Sequence, residues 1–216
     1  MTTMLSTAAP GYFGKICGAG DFVHRRLPPV FIDGWDRAFS QALVEARDRL
    51  GEVWAQIYPV SPRWRFLLAP GVCGEDAWVG VTGPSADRVG RCFPMTIVAR
   101  VTGGGVSPSV LHDGDHWFEE AGNLVKLAQR DRRIDAETFD ARVAALGLPG
   151  ISEEPTVPAP SVDSRDICRN RWTVLPARPH ALLDALWCGL ERGMGMWWHE
   201  SGVQGAPLLV MEGLPE

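Results

Sequence analysis

Residues able to do chemistry cluster most densely at 11–26 of this 216-residue chain, GYFGKICGAGDFVHRR. Lys15 sits there among Gly11, Gly14, Gly18 and Gly20, and a glycine-rich turn with one lysine is how backbone N–H groups cradle phosphate. The match stops at the next residue. Ile16 follows Gly14-Lys15 where a magnesium site needs Ser or Thr, and Gly18-Ala19-Gly20-Asp21 lacks the third glycine of a dinucleotide fingerprint. The glycines therefore point to backbone that takes positive φ or runs close to a neighbour, a strand and turn pressed against the fold.

A second group, Arg88 and Arg91 in GPSADRVGR, carries side chains that bind carboxylate or phosphate in bidentate fashion. Its competing reading is internal: both arginines bond Asp21 or loop carbonyls. Either way the loop is expected to be ordered, and Asp21 is expected to meet it in space. His112-Asp113-Gly114-Asp115-His116 offers types that a metal accepts, yet its spacing matches no standard site and Asp115 has a simpler use as a helix cap. Ser85 lies in Gly-Pro-Ser-Ala-Asp, outside the Gly-x-Ser-x-Gly pattern of a nucleophile elbow. No cysteine has an identifiable base. Neither a cofactor nor a metal is expected.

The elements that must hold these residues follow from periodicity and turn chemistry. Leu27-Pro28-Pro29 reads as an extended turn that bars helix. A helix follows from Asp33 as N-cap, with Trp35, Phe39, Leu43 and Leu50 on one face; Gly51 ends or kinks it, and 53–58 is read as a further turn before Pro59. Strands are predicted at 64–68 and 77–82 as a hairpin, and a third over 94–101. Asp115 and Asp135 are predicted to cap two helices, the first burying Trp117, Phe118, Ala121 and Val125, the second Phe139 and Val143, with Gly147 after it. The Pro-, Glu- and Ser-rich stretch 149–160 reads as a mobile surface loop. A short strand at 172–175, a helix opened by Pro179, and strands at 194–199 and 207–211 complete the chain. In that pattern Trp197 and Trp198 turn one ring to the core and the other outward or against a helix. The order argues for an α+β fold, one largely antiparallel sheet with helices packed on its faces, in a single domain over 1–216.

Composition narrows the partners. A formal net charge of -5 and a pI near 5.6 give no global field toward nucleic acid or an anionic membrane. Five cysteines without a Cys-x-x-Cys pair make neither a disulfide framework nor a zinc signature. No apolar run is long enough to span a bilayer and the N-terminus has no signal-peptide pattern, so a cytoplasmic location is expected. Nine tryptophans are the compositional excess, and each ring needs a buried or interfacial setting.

The strings GYFGKICGAGDFVHRRLPPVFIDGWDRAF, RWRFLLAPGVCGEDAWVGVTGPSADRVGRCFPMTIV and MGMWW, in this order and spacing, resemble the TagF family, also called ImpM, of bacterial type VI secretion. The resemblance is dense over about 11–101 and looser beyond. Lys15, Asp21, Trp35, Trp64, Phe66, Trp78, Ser85, Asp87, Arg88, Arg91, Trp197 and Trp198 are among the matching positions. Cys17, Cys92 and His199 depart from the family wording, and the chain after the Trp-Trp element is short.

The resemblance implies an α/β sandwich and a cytoplasmic, non-enzymatic regulator that represses type VI secretion after translation through protein contact. It also implies a partner, the forkhead-associated scaffold protein of the apparatus, and brings no catalytic residues. The candidate binding cluster is Lys15, Asp21, Arg25, Arg88 and Arg91. The alternative is a sensor or enzyme that takes a phosphorylated or carboxylated ligand in a cleft between 11–26 and the Arg88 loop.

Overall fold

A computed structural model of the chain describes residues 9–101, 115–149, 172–176, 190, 192–199 and 207–214. Its strands are β1 (Gly11–Lys15), β2 (Phe22–Arg25), β3 (Trp64–Leu68), β4 (Ala77–Gly83), β5 (Met95–Val101), β6 (Trp172–Pro176), β7 (Met194–His199) and β8 (Pro207–Glu212). They form one eight-stranded sheet in the order β2-β1-β5-β4-β3-β7-β8-β6, and every paired neighbour is antiparallel. The helices are α1 (Pro29–Leu50), the one-turn α2 (Trp54–Ile57), α3 (Asp115–Arg130) and α4 (Ala136–Ala145). This is the α+β architecture expected, with a meander of β3, β4 and β5 at its centre.

The period of two along each strand sorts side chains onto two cores. Tyr12, Leu67, Val79, Val81, Ile97, Ala99 and Met196 point to the face covered by α3 and α4, where Trp117, Phe118, Ala121, Val125, Phe139 and Val143 meet them. Phe13, Phe66, Leu68, Trp78, Val98 and Trp197 point to the other face, under Phe31 and Trp35 of α1. Trp35 is the hub of that side, its ring 4.9 Å from Phe66, 5.1 Å from Phe31 and 5.8 Å from Trp197. The Trp-Trp pair splits as its strand demands: Trp197 stacks into the α1 core while Trp198 lies edge-on to Phe118 of α3 at 5.5 Å. With both faces covered, the central strands read as near-continuous apolar runs.

Local signals explain the element ends. Helix α1 starts five residues earlier than the expected N-cap at Asp33 implies, with Pro28 at the cap and Pro29 as its first residue. Proline is admitted there because the first-turn N–H groups have no intrahelical partner to lose. Gly51 closes the helix at φ 55°. Asp135 caps α4 by accepting from the Thr138 backbone N–H at 2.7 Å, and Gly147 follows its last turn at φ 63°. Asp115 opens α3 but is committed elsewhere: its carboxylate pairs with Arg65 at 2.6 Å. The stretch 150–160, most of the cluster 112–116, and the helix expected from Pro179 lie outside the described residues.

Candidate functional site

The glycine-rich opening is spent on the fold. Gly14 has φ 146° and sits so close to β5 that a Cβ would collide with the Pro94 carbonyl oxygen. Gly18 is held as tightly against the Ile134 carbonyl in the turn between α3 and α4. Between these contacts Lys15 leaves the end of β1 pointing into the protein, only 6% exposed.

Facing Lys15 is the tight hairpin 86–92. An Ala86–Cys92 bridge closes its base, and Gly90 at φ 89° lets its N–H reach the Asp87 carbonyl at 2.9 Å. Asp87 turns inward with a side chain fully shielded from solvent. Its Oδ1 accepts from the backbone N–H of Val89 at 3.1 Å and of Arg91 at 2.9 Å, an Asx-type closure of the loop. Its Oδ2 accepts from Arg91 Nε at 2.6 Å and lies 3.1 Å from Lys15 Nζ. Burial alone would raise the Asp87 carboxyl, but hydrogen bonds from the Arg91 backbone and guanidinium and from Lys15 prevail and hold it at about 2.

The network continues on both sides. Lys15 Nζ also donates to the Arg91 carbonyl at 3.3 Å and stands 4.9 Å over the Phe22 ring. Ser85 Oγ donates to the Lys15 carbonyl at 2.7 Å, and the Tyr58 hydroxyl donates to the Ser85 carbonyl at 3.1 Å while accepting from its N–H at 3.2 Å. Burial pushes the Tyr58 hydroxyl well above the ordinary phenol range. Arg91 Nη2 donates to the Gly20 carbonyl at 2.6 Å, and the Arg88 backbone N–H donates to the Ala19 carbonyl at 2.7 Å.

The two sequence clusters therefore meet, through a different acid from the one expected. Asp21 turns its Oδ1 to the Phe22 N–H at 2.8 Å, and the acid that binds Arg91 is Asp87. Asp87 was legible as an Asp four residues before an Arg with a glycine between, the wording of a side-chain-closed turn. Of the candidate residues, Lys15 and Arg91 spend their donors inside the network. Arg25 is exposed on the outer strand β2 and bonds the His24 carbonyl at 2.8 Å. Arg88 is exposed, and its guanidinium has no acceptor or counter-ion among the described residues.

Two cavities lie away from this network, one of about 510 Å³ between α3 and α4 beside His116, Glu120 and Arg142, the other of about 210 Å³ beside Arg63, Arg65 and Phe118. Among the described residues no group of three His, Cys, Asp or Glu side chains is placed to hold a metal ion, and no helix is long and apolar enough to cross a membrane.

An antiparallel sheet covered on both faces, with its most polar cluster closed by its own side chains, defines an α+β sandwich domain. Residues 11–146 match the TagF N-terminal domain, described as type VI secretion system-associated, and the chain belongs to this family. The chain is also similar to PA0076 from Pseudomonas aeruginosa PAO1, solved by crystallography. The two share 31% sequence identity and a TM-score of 0.71, over 96% of this chain and 90% of that one. No curated protein matches the chain.

Proposed function

We propose that this protein is a non-enzymatic, cytoplasmic regulator that represses type VI secretion after translation, by contact with the forkhead-associated scaffold protein of the apparatus. The family to which the chain belongs, associated with that secretion system, carries the reading. Its physical support is the fate of the reactive side chains. Lys15, Ser85, Asp87 and Tyr58 bond one another in the interior, so they brace a surface. What the brace presents outward is Asp21, Phe22, Arg25, Arg88 and Arg91, exposed residues of strand β2 and of the short, mutually bonded loops beside it. Preorganised exposed side chains reduce the ordering cost of association, which favours a protein-binding role.

Affinity purification of the tagged full chain from cells expressing a complete type VI secretion cluster tests this. The scaffold protein is expected in the eluate, and deletion of the gene for this chain is expected to raise secretion without changing transcript levels. A eluate free of scaffold, with secretion unchanged by the deletion, would refute the proposal.

A further inference from the structure

We propose that the turns at 17–21, 86–92 and 131–134 together form a docking surface for an acidic, apolar-containing segment of a protein partner, read by Arg88, Arg132 and Arg133. The inference deepens the binding role proposed above and rests on it. It starts from Gly18, Ala19 and Gly20. Gly18 packs against the backbone of Arg132 and Ile134, while Ala19 accepts from Arg88 and Gly20 lies beneath the Arg88 guanidinium. Residues two apart in a chain are separated by at most about 7 Å, so the Arg88 and Arg132 turns flank one short strip of backbone.

The strip is unevenly satisfied. Asp21 turns its Oδ1 to the Phe22 N–H, Asp131 to the Arg133 N–H at 3.0 Å, and Asp135 to the Thr138 N–H at 2.7 Å. Each acid of the patch is thus drawn onto a backbone donor, and Asp87 is buried under Lys15 and Arg91. Arg88, Arg132 and Arg133 are exposed, and no acceptor for their guanidinium groups exists among the described residues. The acids keep their charge, but their oxygens already hold backbone donors, so what the patch leaves over is three exposed guanidinium groups with hydrogen bonds to give.

Its apolar content selects the class of partner. Phe22, 38% exposed, rests on Phe13 and Phe93, and Val89, 71% exposed, crowns the neighbouring hairpin. Arginine beside an anchored aromatic ring is the composition of a protein hot spot, and a chain of net charge -5 has no overall field toward a nucleic-acid backbone.

Fluorescence anisotropy with a fluorescein-labelled peptide of repeated Glu-Glu-Leu, titrated with the full chain, reads the surface directly. Binding that weakens with added salt is expected, and R88E/R132E/R133E is expected to weaken it at least about tenfold at an unchanged melting temperature. If the reversed triplet lowers the melting temperature, R88Q/R132Q/R133Q takes its place with the same expectation. Equal binding by folded wild type and variant, no binding by wild type, or tighter binding of a single-stranded DNA of equal charge overturns the proposal. Scaffold capture by the same proteins separates the two readings. A variant that captures scaffold undiminished removes this surface from the contact and leaves the regulator role standing, whereas a wild type that captures none fails that role while the peptide titration still decides the surface.

Discussion

The Lys15 ammonium lies 3.1 Å from Oδ2 of Asp87, an ion pair closed off between the end of β1 and the hairpin 86–92, with side chains 8% and 0% exposed. Arg91 and two backbone N–H groups complete the shell of the carboxylate. Pairs of this kind are costly to form and costlier to break, because removing one member strands the other charge in the interior.

Asp87→Ala is therefore expected to destabilise the protein by about 3 kcal/mol or more, and Lys15→Met to cost less, since Arg91 still neutralises the carboxylate. Urea unfolding of both variants and of the double variant measures the coupling. Additive losses would contradict a direct pair.

The same carboxylate sets an acid limit. Its folded-state value, about 2, lies below the ordinary 3.8, so the group stabilises the fold above the unfolded value and loses that stabilisation as pH falls from about 4 through 2. Linkage puts the loss at roughly 1–2 kcal/mol once solvent around the exposed Arg91 is discounted. The urea midpoint should fall across that window in wild type and change less in Asp87→Asn. Parallel pH profiles would show that other carboxylates dominate.

Gly14 and Gly51 both have positive φ but differ in surroundings. At Gly51, φ 55°, a Cβ meets open space, whereas at Gly14 it meets the Pro94 backbone. Gly51→Ala should cost about 1–3 kcal/mol, the penalty of a backbone region (φ 55°, ψ -129°) that side chains avoid, and Gly14→Ala more, because the collision with Pro94 adds to it and β1 must move off β5. Thermal unfolding of the two variants makes the comparison, and equal losses would mean that β1 can shift freely.

Trp35 joins Phe31, Phe39, Phe66 and Trp197 in one aromatic cluster and is fully buried. Trp35→Ala is expected to cost about 3–5 kcal/mol, and Trp64→Ala, at a half-buried position against His199, clearly less. Denaturation midpoints rank them, and a reversed order would shift the centre of this core away from α1.

Much of the fold was legible because its signals are local. The alternation of 64–68 and the short apolar runs 77–82 and 94–101, punctuated by glycine and proline, predicted three antiparallel strands, and β3, β4 and β5 pair in that manner. Asp135 and Gly147 marked the ends of α4 through capping chemistry that involves only near neighbours. Local rules misplaced the start of α1, where proline was taken to exclude helix although its first turn admits it. The short strand β2, four residues with one buried side chain, had no periodicity to announce it.

By itself the sequence determined the α+β class, the three consecutive strands at 64–101, the family, and the kinship of the stretch 11–26 with the Arg88 loop. Only the tertiary structure decided that Lys15 points inward onto Asp87 and that the turn at 131–134 lies beside Gly18. The reason is sequence separation: Lys15 and Asp87 are brought together by the pairing of β1 with β5, a contact that no short-range pattern encodes. Asp21 and Asp87 carry the same carboxylate, and only burial and the direction of the backbone assign the cation to one and the solvent to the other.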